Sequence, residues 1–232
     1  MTLFSYEVPL AHLEEFDPYQ DFYFALSFLC KDPKYFDFMR KKKEAGKFMV
    51  LDNSFNELGQ PDSPKEMAEI FYELQADKVV SPDSDGWSLE ELSEAYEEMI
   101  FLVPKEKVLP VVRSVEEYMF FKKMVGTFAY CTTFYHRPKL PAFILYSCRH
   151  FLGLQAPWEI RRYTPFSCDT SMPIKLALRG ETIADWMKKS CPHYHTKDIP
   201  NFFDLTLTKE QLTLALRNTK WIQINLGVNL AP

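Results

Sequence analysis

Apolar residues recur along this chain in short runs separated by longer stretches of helical period. In order the runs are FSYEV (4–8), FYFALSF (22–28), KFMVLD (47–52), DKVVSP (77–82), KVLPVV (107–112), TFAYCT (127–132), RHFLGL (149–154) and PFSCD (165–169). Their length and bounding turn residues predict eight strands. Between them DPKYFDFMRKKKEA, SPKEMAEIFYELQ, SLEELSEAYEEMIFLV and SVEEYMFFKKMV read as helices. Ser63 and Ser88 stand at N-cap positions, SLEE and SVEE carry a glutamate three residues after a serine, and Pro64 occupies a first helical position.

Strands that alternate with helices pair in parallel through crossovers. Eight such units within 232 residues predict an α/β fold, a single compact (β/α)8 TIM-type barrel. An open doubly wound sheet would carry a glycine-rich phosphate loop, and neither GxGxxG nor GxxxxGK[ST] occurs. No linker or low-complexity segment interrupts the rhythm, so residues 1–232 are taken as one domain. Its 181–232 portion is expected to form a loop, CPHYHTKDIPNFFD, and a closing helix, LTKEQLTLALRNTKW.

Composition narrows the class. A hydrophobic content of 47% supports a substantial core, and a net charge of -5 opposes a protein whose whole surface grips nucleic acid. A local basic patch stays open at 40–47, RKKKEAGK. Five widely spaced cysteines without a CxxC pair indicate reduced thiols. The acidic N-terminal stretch is unlike a signal peptide, and no apolar run reaches the length of a membrane span. The expectation is a soluble, cytoplasmic chain. Cys191, His193 and His195 in SCPHYH could hold a metal, although a polar loop is the preferred reading and no metal site is assigned.

Candidate chemistry comes from how the runs end. FMVLDNSF stops at Asp52, VVSPDSDG at Asp83 and PFSCDTSMP at Asp169. In a (β/α)8 barrel these strand ends would meet at one rim, joined by Arg113 after VLPVV and by Thr132 and Thr133 after TFAYC. Each aspartate also has a plain reading as a helix cap or an Asx-turn. Asp83 is the weakest, since Ser84 and Asp85 share its turn, and Asp169 the strongest, since Ser171 could cap a helix starting near Pro173. If Asp169 is catalytic, its replacement by Asn should be mild for stability, whereas a buried network would make it severe. Two carboxylates at a rim can divide nucleophile and acid/base roles or bind Mg2+.

Four of these segments resemble motifs of the tRNA-guanine transglycosylases, in the same order: LDNSFNELG, SPDSDG, VLPVVRS and FLGLQAPWEIRRYTPFSCDTSMP. The likeness is strongest to short phage and bacterial members linked to 7-deazaguanine modification of DNA. It implies a glycosyltransferase that cleaves an N-glycosidic bond and exchanges a guanine or 7-deazaguanine-type base, or hydrolyses the bond, through an aspartyl-linked intermediate. Asp169 would be the nucleophile and Asp52 the general acid/base, with Asn53, Ser54, Asp83, Arg113 and the backbone at Gly153 binding substrate and no cofactor required. Partners would be a purine or 7-deazapurine base and a nucleic acid or free nucleotide. The family's zinc motif is absent, which favours DNA over tRNA. Two other functions stay open: a metal-dependent barrel enzyme with the rim carboxylates as ligands, and a non-catalytic nucleotide- or base-binding barrel.

Overall fold

The eight predicted strands form, each within a few residues of its run: β1 Leu3–Tyr6, β2 Tyr23–Leu26, β3 Met49–Asp52, β4 Lys78–Val80, β5 Val108–Leu109, β6 Tyr130–Thr133, β7 Cys148–Leu152 and β8 Ser167–Thr170. The helices are α1 Leu13–Phe16, α2 Pro33–Glu44, α3 Phe55–Leu58, α4 Pro64–Leu74, α5 Leu89–Leu102 and α6 Val115–Val125. They continue with α7 Ala142–Ser147, α8 Pro157–Tyr163, α9 Met172–Ala177, α10 Ile183–Lys188 and α11 Lys209–Asn225. This computed structural model describes residues 2–125, 130–133 (backbone alone), 136–154, 156–188 and 199–227. Strand, helix and parallel pairing alternate as in the (β/α)8 class, the fold predicted.

Two compact units make up the chain, Met1–Asp21 with His150–Pro232, and Phe22–Arg149. In the first, β8 lies between β1 and β7, both pairings parallel. Register sets Ser5 beside Asp169 and His150 beside Ser167. Side chains alternate along a strand, so Ser167 and Asp169 share a face with Ser5 and His150, and Cys168 turns to the other side with Phe4 and Phe151. One face of this sheet is thus polar at buried positions. The ladder runs one residue past β1, where the Glu7 amide donates to the Thr170 carbonyl at 3.1 Å.

The second unit carries β2, β3, β4 and β5 in that order, all parallel. Every residue of β2 and β3 is buried, as sheets covered on both faces require. Continuous apolar runs were legible for that reason, and a carboxylate at the end of one, Asp52, is buried with it. Ser63 and Ser88 cap α4 and α5 through reciprocal bonds with Glu66 and Glu91, as the spacing predicts. In SVEE only half of this forms: Ser114 accepts from the Glu117 amide, but the Glu117 carboxylate takes the Arg113 amide instead.

Among the described residues, no helix is long and apolar enough to cross a membrane. Within 181–232, α11 exceeds the predicted closing helix, and α10 adds a short helix that the weakened periodicity did not reveal.

Candidate functional site

Each unit gathers polar groups at the C-terminal ends of its strands. In the first unit the centre is Asp169, the third residue of β8 and almost wholly buried. It is no helix cap. The Thr170 hydroxyl accepts from the Met172 amide at the start of α9, and Ser171, at the N-cap, makes no side-chain cap. Asp169 is left to the neighbouring strands. The Gly153 amide donates to both carboxylate oxygens at 3.0 Å, from a backbone at φ 67° that glycine adopts without strain. His150 Nε2 lies 3.1 Å from Oδ1, and His150 Nδ1 lies 2.8 Å from Ser167 Oγ.

Glu7 completes the group through a side-chain hydrogen bond to Asp169. Burial pushes the Asp169 carboxyl up, yet the bond and charge of His150, with the Glu7 and Gly153 hydrogen bonds, outweigh it and leave the pKa lowered. An ionised carboxylate only accepts, so two carboxyl groups bonded to each other hold one hydrogen between them. Asp169 favours ionisation, and both of its oxygens act as acceptors. Glu7 is half-buried, so it is the more exposed of the pair.

In the second unit Asp52 accepts from the Ser54 amide at 2.8 Å, the Asx-type turn foreseen as its plain reading. Ser54 sits at φ 58°, its hydroxyl 2.9 Å from Ser27 Oγ; Ser27 donates to Asp62 at 2.6 Å, and Asp62 also takes Lys31. This chain ties the loop after β3 to the one after β2. Asn53 faces another way: its amide donates to the Ser81 carbonyl at 2.7 Å and to Asp83 Oδ1 at 2.6 Å.

Asp83, weakest of the three from sequence, is strongly perturbed. Burial pushes its carboxyl up to about 6 against the Arg113 charge and the Asn53 hydrogen bond, with Asp85 and Glu117 adding to the rise. Folded protein therefore binds this proton more tightly than the unfolded chain, whose group titrates near 3.8. Stability should fall as pH rises from about 4 to about 6, by roughly 3 kcal/mol at 1.36 kcal/mol per pKa unit. Urea unfolding of the native protein and Asp83→Asn at pH 4.5 and 7 would measure it. The variant should gain on the native protein at the higher pH; parallel pH profiles would contradict the assignment.

The structure brings Asp169 to Gly153, and separately brings Asn53, Asp83 and Arg113 together. Glu7 and His150 escaped the sequence reading because both lay inside runs read as strand interior. A signal for Glu7 was present: FSYE is also an apolar run that ends at a carboxylate. For His150 it was the two-residue alternation of a polar face. The side chains of Thr132 and Thr133, and Cys191, His193 and His195, lie outside the described residues.

The (β/α)8 architecture defines the class of fold, and comparison with known proteins agrees with it. The chain matches no family model and no curated protein. It is similar to the "putative dihydrodipicolinate synthetase" of Pseudomonas aeruginosa, with a TM-score of 0.56 and 10% identity over 94% of this chain and 98% of that one. An N-acetylneuraminate lyase from Mycoplasma synoviae gives a TM-score of 0.47 and 10% identity, over 83% and 78%. At such identity the likeness is one of fold.

These comparisons correct the functional reading. The Pseudomonas aeruginosa structure is not named as a transglycosylase, and the fold is shared with it at only 10% identity. Four short motifs in barrel order therefore report the order of strands and loops, not guanine exchange. With the resemblance fall the glycosyltransferase or N-glycosidase activity, the link to 7-deazaguanine, and the purine, nucleic-acid and nucleotide partners. The metal-dependent alternative finds no support: among the described residues no group of three or more His, Cys, Asp or Glu is placed to hold a metal. The non-catalytic nucleotide-binding barrel goes with the nucleotide.

Proposed function

We propose that the chain is a lyase-type enzyme that transfers a proton on a small polar substrate, with Glu7 as general acid and Asp169 as the carboxylate sharing its hydrogen. The observation that carries this reading is the Glu7 side chain set against the buried Asp169 carboxylate at the ends of adjacent strands. Such a pair gives up a hydrogen to a substrate oxygen, or takes one from carbon, while the second carboxylate absorbs the change in charge. Asp169 acts on substrate through Glu7 and is a positioning residue. A barrel named for dihydrodipicolinate is in keeping with a small substrate.

Two other mechanisms find less support. The Ser167–His150–Asp169 line has the composition of a hydrolytic triad, but Ser167 is buried at the first position of β8, away from the strand end where Asp169 and Glu7 meet. Amine catalysis needs a lysine that sheds its proton readily. The described strands carry one lysine, Lys78, at the start of β4, and Lys31 beyond β2 is raised by its hydrogen bond to Asp62. Asp52, Asn53 and Ser54 shape the loop after β3 in this proposal. The free thiols of Cys30, Cys148 and Cys168 support a cytoplasmic setting.

The test is deuterium uptake from heavy water into a panel of small oxo acids, hydroxy acids and sugars, followed by NMR. Native protein should exchange one carbon-bound hydrogen in one substrate class, and Glu7→Gln should slow that exchange by about 100-fold or more. Equal rates in the two proteins, or no exchange across the panel, would reject the proposal.

A further inference from the structure

In the unit Phe22–Arg149, a second group of buried polar atoms has unmet hydrogen-bonding capacity. Asn53, Asp83 and Arg113 follow the adjacent strands β3, β4 and β5. The Arg113 guanidinium is buried, with Nη1 3.5 Å from Asp83 Oδ2 and 3.4 Å from Asp85 Oδ1, and Nε 3.5 Å from Glu117 Oε2. These contacts are long for charge-assisted bonds, which close to about 2.7–2.9 Å. Arg113 Nε and Nη2 make no hydrogen bond, and neither does Asp83 Oδ2. A buried donor and a buried acceptor left open in one cluster call for an explanation.

The charges define what could satisfy them. Three carboxylates already surround one guanidinium, so an added anion would meet net repulsion. A neutral group that accepts from Arg113 and donates to Asp83 meets none. Vicinal hydroxyls do both. We propose that this cluster binds the vicinal diol of a small sugar or polyol, one oxygen accepting from Arg113 Nη2 and its neighbour donating to Asp83 Oδ2. Asn53 fixes the other Asp83 oxygen and so aims the open one.

Entry is set by Asp85. Its side chain is 51% exposed, against 5% for Asp83 and 15% for Glu117, and its Oδ1 is shared between Arg113 and His136 Nε2. It is the carboxylate standing toward solvent, and the diol enters by displacing it.

Saturation-transfer NMR on the full chain with glycerol, ribose, glucose and inorganic phosphate as separate probes tests the inference. One of the polyols should bind saturably, and phosphate should neither bind nor compete. Asp83→Asn and Arg113→Lys should each weaken binding at least 10-fold, while Asp85→Ala should hold or tighten it. Should Arg113→Lys fail to fold, Asp83→Asn, which removes a buried charge at nearly constant volume, decides alone, with circular dichroism as the check on folding. No polyol binding by native protein and Asp85→Ala, binding unchanged in Asp83→Asn, or displacement by phosphate would each overturn it. Because the probes report binding and not proton exchange, this outcome separates from that of the Glu7 test.

Discussion

Asp169→Asn is expected to lose activity by about 100-fold or more and stability by roughly 3 kcal/mol, lowering Tm by about 6–12 °C. An amide offers one accepting oxygen where the carboxylate offers two, and its NH2 would face the Gly153 amide, itself a donor. At least one charge-assisted bond is lost, and Glu7 loses the partner that takes its hydrogen. The sequence-based expectation of mild destabilisation is therefore revised, because Asp169 is both part of a buried network and part of the proposed chemistry. Glu7→Gln, at a half-buried position, should lose activity with little change in Tm. Thermal unfolding beside the exchange assay separates the two variants. An unchanged Tm for Asp169→Asn would refute the hydrogen-bond set. The lowered Asp169 pKa adds a sign: its stabilisation is present above the unfolded value of about 3.8 and is lost as pH falls through the folded one.

Arg113→Met should destabilise the protein by about 3–5 kcal/mol at pH 7, the cost of leaving buried charges without their partner. Asp83 and Glu117 would lose the cation that offsets their mutual repulsion; Asp85, half in solvent, matters less. The loss should shrink toward pH 5, because Asp83, already pushed up to about 6, would rise further without the guanidinium and discharge by taking a proton. Urea unfolding of native protein and variant at the two pH values measures both. A deficit that does not depend on pH would assign the Arg113 contribution to packing of its stem instead.

Eight strands and the long helices were readable because their signals are local. A strand covered on both faces must be apolar throughout, and a capped helix start needs only a serine and a glutamate three residues on, as at Ser63 and Ser88. Short helices such as α7 and α10 span six residues each, too few to show a period. The Asp83 environment was misjudged for a related reason. Its chain neighbours Ser84 and Asp85 suggested a solvated turn, while Asn53 and Arg113, which bury and charge it, are 30 residues away in sequence.

The sequence by itself determined the (β/α)8 class, the strand ends at which Asp52 and Asp169 stand, and the caps of α4 and α5, since periodicity and capping act over a few residues. Tertiary structure alone decided what those carboxylates do. The pairing of β1 with β8, across more than 160 residues, set Glu7 against Asp169. The register of β7 on β8 supplied His150, and adjacency of β3, β4 and β5 drew Arg113 to Asp83. Protonation depends on which groups share a low-dielectric space, and that is fixed by strand order and not by spacing along the chain.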